Sequence, residues 1–175
     1  MSQLGEAIAR YHKILETEAY RDHAWAEELQ GRMKASHLTS GNRPISPVLR
    51  PHFITKRQYA NLVKAAEALF SAISRVEHLT LSSAQLQSRI QMLPAEKMLA
   101  AVDPGYPFLS VTSLLDTNLH NGSMHFTGYT AETPAGVAFG ETLDQLFYDA
   151  PPVKEFRKKY SLQNSAALSI CSRRC

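Results

Sequence analysis

The sequence predicts an α+β fold, with a helical N-terminal half packed on a small antiparallel sheet that has a hairpin at its centre. Two observations carry that expectation. In the front half, apolar residues recur three and four positions apart, the spacing of one helical face. Beyond residue 107 the pattern changes to β-rich and alternating segments around Asn121-Gly122, a dipeptide that supplies the positive φ angles of a tight hairpin turn.

Taken in order, Leu4, Ile8, Tyr11, Ile14 and Leu15 mark a first helix. Asp22 can cap a second that carries Trp25, Leu29 and Met33, and the two are expected to pair as a helical hairpin around residues 19–21. Residues 37–52, with Gly41-Asn42-Arg43-Pro44 and Ser46-Pro47, read as a loop from which Val48-Leu49 touches the core. Thr55 and Gln58 form a capping box for a helix over residues 56–76, whose stripe should bury Leu62, Ala66, Leu69 and Ile73. Ser82 with Gln85 offers a further cap before Leu86 and Ile90, and Pro94 can open a short helix through Lys97, Met98 and Leu99. Asp103-Pro104-Gly105 then breaks the chain. Residues 108–115 form the first strand of the hairpin and Met124-His125-Phe126-Thr127 the second. Leu143, Leu146 and Phe147 place a helix over residues 137–150, with Thr133 as its cap and Pro134 in its first position. Tyr59, Phe70, Phe126 and Phe147 read as core residues.

Length suits one domain, over residues 1–162, with a genuine core. Residues 163–175 lack an apolar face and read as a disordered tail, either a frayed natural terminus or the product of an interrupted reading frame. A net charge of +3 spread along the chain argues against a nucleic-acid partner. Arg157-Lys158-Lys159 and Arg173-Arg174 are not interleaved with aromatic residues, and the first reads as a solvated helix end. Without a basic leader followed by an apolar stretch, and without an apolar run near the roughly 20 residues that cross a bilayer, the expected setting is the cytoplasm, with no membrane partner. Both cysteines, Cys171 and Cys175, fall in the tail and read as incidental.

Candidate chemistry is confined to residues 114–147. His120 and His125 flank the hairpin turn near Asp116, and two imidazoles with a carboxylate can bind zinc, although turn geometry puts them on different sides as easily as together. No Gly-x-Ser-x-Gly elbow positions a nucleophile, and no glycine-rich loop is built to cradle phosphates.

The run Gly128-Tyr129-Thr130-Ala131-Glu132-Thr133-Pro134, leading from a strand into a helix, resembles the Glu-Tyr-Asn-Ala-(Asp/Glu)-(Ser/Thr)-Pro run of the glutathionylspermidine-synthase-like, circularly permuted ATP-grasp proteins. Family members also carry Arg-x-Asp on the preceding strand, and alignment through the hairpin puts Leu114 and Asp116 at those positions. The likeness is clearest over residues 92–160, weaker upstream and absent after Leu162. It implies a pre-ATP-grasp-like domain, the portion that precedes the nucleotide-clamping lobes of an ATP-dependent carboxylate-amine ligase.

ATP and magnesium are the cofactors that the full-length family uses, and those lobes or a small-molecule substrate are the partners implied. The resemblance implies Asp116 as the retained metal ligand and Glu132 and Thr133 as residues lining the nucleotide and substrate cleft, Glu132 having the alternative role of a carboxylate that steadies a helix start. The amides of residues 135–137 offer an anion site. Leu114, Gly128 and Thr130 replace the family's Arg, Glu and Asn. The chain alone is therefore expected to hold no cofactor and to be inactive, or to serve as a non-catalytic interaction or scaffold domain.

Overall fold

The computed structural model describes residues 2–103, 105, 112–120, 123–131 and 136–163, and it is a mixed helix and sheet structure with two small antiparallel sheets of two strands each. The chain divides into two compact units, residues 1–55 with 135–175 and residues 56–134, where the sequence reads residues 1–162 as one domain.

The first unit contains every side chain that is fully buried among the described residues. Helix α1 (Gln3–Leu15) starts where Ser2 Oγ accepts the Gly5 amide at 3.2 Å, satisfying one of the unpaired donors of a helix start. A 3-10 turn (Glu18–Tyr20) leads into α2 (Ala24–Ala35). Asp22 contributes as expected by accepting the Ala24 amide at 3.2 Å, but the cap position is His23, at φ 58°.

The expected pairing of these two helices is replaced by another. Helix α1 packs on α7 (Pro151–Arg157), and α2 packs on α6 (Val137–Asp149). Two apolar clusters result. Trp25, Leu29 and Met33 of α2 meet Leu38, Leu146 and Phe147, while Tyr11 and Ile14 of α1 meet Ala150, Val153 and Phe156. Phe156 stacks between Phe53 and Tyr160, with ring centroids at 5.0 and 4.6 Å, and meets Tyr11 edge-on at 5.6 Å.

The break between α6 and α7 follows from Pro151-Pro152. A residue before proline is driven out of the helical region, and Ala150 accordingly takes φ −64° and ψ 138° while Pro151 opens α7. Helix α6 is preceded by Gly136 at φ 96°, so its cap is Gly136 rather than Thr133, which with Pro134 lies outside the described residues. Residues 37–52 are not wholly irregular. Strands β1 (Thr39–Ser40) and β2 (Arg43–Pro44) pair across Gly41, itself at φ 61°. Leu49 packs partly against the core as expected, whereas Val48 is exposed.

The second unit is built on α3 (Lys56–Ser82), a continuous helix longer than the predicted one. Leu62, Ala66, Leu69 and Ile73 share its more covered face but are half-buried, and no residue of α3 is buried. The periodic stripe told which face turns inward without telling how much would cover it. Tyr59, expected in the core, is exposed, while Phe70 and Phe126 are half-buried. Helix α4 (Ala84–Gln87) is capped by Ser83, which accepts the Leu86 amide, one residue after the expected Ser82; the Ser82 hydroxyl instead donates to the Leu79 carbonyl. Pro94 opens α5 (Pro94–Ala100), where Glu96 accepts the Leu93 amide at 2.7 Å. Gly105, at φ 77°, closes the expected break by donating to Asp103.

Strand β3 (Ser113–His120) pairs antiparallel with β4 (Ser123–Ala131). It runs on past the expected end at residue 115, and Thr112, expected within it, precedes it; residues 108–111 and Asn121-Gly122 lie outside the described residues, as does the tail from 164 onward. No described helix is long and apolar enough to cross a membrane.

Candidate functional site

The pleat of the β3–β4 hairpin sorts its side chains onto two faces. Leu115, Thr117, Leu119, Met124, Phe126 and Tyr129 are half-buried, and Tyr129 meets Phe70 of α3 edge-on at 6.0 Å. Leu114, Asp116, Asn118, Ser123, His125 and Thr130 occupy the exposed face. The register on that face decides which of them are neighbours. Leu114 lies opposite Thr130, and Asp116 lies opposite Gly128.

The four positions singled out in the sequence therefore form two adjacent cross-strand pairs. Their closeness is visible at Gly128, where a β-carbon would stand 2.7 Å from Asp116 Oδ2. The carboxylate rests over a residue that has no side chain to oppose it. Immediately beyond, the register shifts: Thr117 pairs with Phe126, leaving Thr127 as the extra residue of a bulge, and its hydroxyl donates to the Asp116 carbonyl at 3.3 Å. The bulge restores the alternation, so His125 stays on the exposed side, opposite Asn118.

Magnesium takes six oxygen ligands in near-octahedral geometry, usually with one or two carboxylates among them. The matched positions here supply one carboxylate, from Asp116, and one hydroxyl, from Thr130, while Leu114 adds an apolar side chain that is 39% exposed. This donor set does not fit the cation that the likeness implies. Zinc fares no better among the described residues, where no three of His, Cys, Asp and Glu converge. His120 pairs with Ser123 through its backbone, but its side chain is outside the described set. Glu132 and Thr133, the expected cleft residues, and Cys171 and Cys175 also lie outside it, as does Ala135 of the expected anion site.

Sequence reading missed a second constellation, at the end of α7. A cleft of about 430 Å³ is lined by Tyr148 of α6 and by Arg157, Lys158, Lys159, Tyr160 and Ser161. The Arg157 guanidinium lies 3.5 Å over the centre of the Tyr148 ring, a cation-π contact between residues nine positions apart. The basic run is thus accompanied by Tyr160, which follows it directly, and by Tyr148, which the linear sequence does not disclose because Pro151-Pro152 sets the turn that brings it back beside Arg157.

No family model, curated protein or solved structure matches this chain.

Proposed function

We propose that this chain is a non-catalytic counterpart of the pre-ATP-grasp portion of glutathionylspermidine-synthase-like ligases. The family reaction makes an acyl phosphate from a carboxylate and ATP and passes the acyl group to an amine. The observation that carries the reading is the register of one exposed hairpin face, in which Leu114 opposes Thr130 and Asp116 opposes Gly128. The positions where the family keeps its arginine and its three metal ligands are neighbours in space, and a single carboxylate remains among them. Asp116 alone cannot hold magnesium against the water that hydrates it.

A second reading, an interaction domain, is favoured by the surface of residues 56–134. Leu93, Met98, Leu99 and Val102 are 66 to 75% exposed, and such apolar surface is typical of contact sites.

Thermal melting and ATP turnover, each with and without magnesium, test the main reading. ATP and magnesium should leave the melting temperature unchanged, because only a ligand bound to the folded state raises it. ATP hydrolysis that disappears in Asp116→Ala would overturn the non-catalytic assignment. The family likeness is tested separately by Gly128→Glu with Thr130→Asn, which adds two oxygen ligands beside Asp116 and so restores the family's three. Magnesium should raise the melting temperature of that variant and not of its Asp116→Ala derivative; no rise would remove the geometric support for the likeness.

A further inference from the structure

We infer that the cleft at the end of α7 is a binding site for a small soluble phosphate monoester, with the Arg157 guanidinium and the Lys159 ammonium as its charged anchors. The inference is independent of any likeness to the ligases.

Charge is the first ground. Lys158 is paired with Glu155, and Asp149 is engaged by Arg32 at 3.7 Å and by the Gln145 amide at 3.0 Å. Among the described residues, Arg157 and Lys159 have no carboxylate partner, which leaves two positive charges facing the same cleft. The ordinary duty of basic residues at a helix end is to satisfy the last carbonyls. Here backbone amides already serve two of them: Lys158 donates to the Glu155 carbonyl at 3.2 Å, and Lys159 and Tyr160 donate to that of Phe156 at 3.1 and 3.2 Å.

Geometry is the second ground. The Arg157 guanidinium carbon lies 3.5 Å over the centre of the Tyr148 ring, and the fork of N–H donors around that carbon can meet two oxygens of a phosphate at once. The Tyr148 ring holds Arg157 in that pose, so little side-chain freedom is left to lose on binding. Lys159, Ser161 and Tyr160 add a point charge and hydroxyls around the same space.

Size and lining select the ligand. The cleft, about 430 Å³, is open to solvent and lined mainly by polar groups, which suits a small charged ligand rather than an apolar one. The one aliphatic side chain in the lining is Leu162, too little for a lipid surface. Single-stranded nucleic acid needs open aromatic faces for its bases, whereas Arg157 covers a face of Tyr148 and Phe156 stacks on Tyr160. A neighbouring cleft of about 260 Å³, lined by Arg10 and Lys13, also has Glu155 in its wall and is less suited to an anion.

The test is a titration of the full chain with AMP and with inorganic phosphate, followed by amide chemical shifts and calorimetry. AMP should bind, with shifts concentrated at residues 157–161. Arg157→Lys keeps the charge but loses the fork, and with Lys159→Gln it should weaken binding at least tenfold, whereas Lys154→Gln, an exposed lysine on the same helix outside the cleft, should change it less than twofold. An equal loss in Lys154→Gln would reduce the effect to general charge and overturn the site. So would binding to phosphatidic acid vesicles without binding to AMP, or the absence of shifts at residues 157–161.

Discussion

Replacing Phe156 by alanine and, separately, Leu69 by alanine should expose the difference between the two units. Phe156 is 2% exposed and has an aromatic ring on each face and a third at its edge, so truncation empties a site with well-formed walls. Large-to-small changes of this kind cost about 3 to 5 kcal/mol, and the lost ring contacts put Phe156→Ala near the top of that range. Leu69 is half-buried on a helix without a single buried residue. A fully buried leucine truncation costs about 2 to 5 kcal/mol, and half the transfer with space for neighbours to relax brings Leu69→Ala to about 1 to 2. Urea unfolding followed by tryptophan fluorescence provides the assay. Trp25 is the sole tryptophan, is buried in the first unit, and touches Tyr20, which packs against both of that unit's clusters. Far-UV circular dichroism, to which the long helix α3 contributes strongly, follows the second. Phe156→Ala should move the fluorescence midpoint sharply. A change within about 0.5 kcal/mol, the usual range of a surface substitution, would refute the assigned core, and so would a larger loss from Leu69→Ala than from Phe156→Ala.

Two further outcomes can be checked in the same way. Tyr11 is wholly buried and its hydroxyl donates to the Leu49 carbonyl at 3.2 Å; burial pushes its pKa upward, so the unfolded chain gives up this proton first. The stabilisation is complete below about pH 10, the ordinary phenol value, and is lost as pH rises above it. Tyr11→Phe should cost about 1 kcal/mol at neutral pH and remove part of the alkaline fall; identical alkaline slopes in the two proteins would contradict the burial argument. At the hairpin, Gly128→Ala presses a methyl group against the Asp116 carboxylate, which must rotate at a cost of about 0.5 to 1.5 kcal/mol, offset by about 0.5 to 1 from removing a strand glycine. The penalty should vanish in an Asp116→Ala background, and its persistence in the double-mutant cycle would show that another contact causes it.

Local signals made much of the fold legible. Period located α1, α2, α3 and α6, because one amphipathic stripe per helix is a property of the segment itself, and Pro94 marked the start of α5. Partner choice was not legible: α1 and α2 are adjacent in sequence and short-linked, yet they pack on α7 and α6, whose apolar faces arrive more than a hundred residues later. Leu38, 1% exposed, carried no periodic signal because it sits just past the end of α2. Ser82 and Ser83 are equally good caps by type, and the extra turn of α3 decided for the second. At the hairpin, alternation marked the second strand only over residues 124–127, so the pairing of Gly128 with Asp116 and of Thr130 with Leu114 was not legible, and a bulge at Thr127 has no sequence signature that separates it from a regular strand residue.

Chemistry needs side chains held to within about half an ångström, and that precision comes from the packing behind them. Asp116 rises from a hairpin whose inward face is half-buried, in a unit without a fully buried side chain among its described residues. Its carboxylate is exposed and lies over a glycine, and among the described residues no side chain fixes its direction. Arg157 and Tyr148 are placed differently: Tyr148 follows directly on Leu146 and Phe147, and Arg157 follows Phe156, all three at 6% exposure or less. The backbone that carries each is anchored by core residues one position away, and the two side chains then orient one another. If a rigid recognition site exists in this chain, the physical conditions for it are met at the end of α7 rather than on the hairpin face.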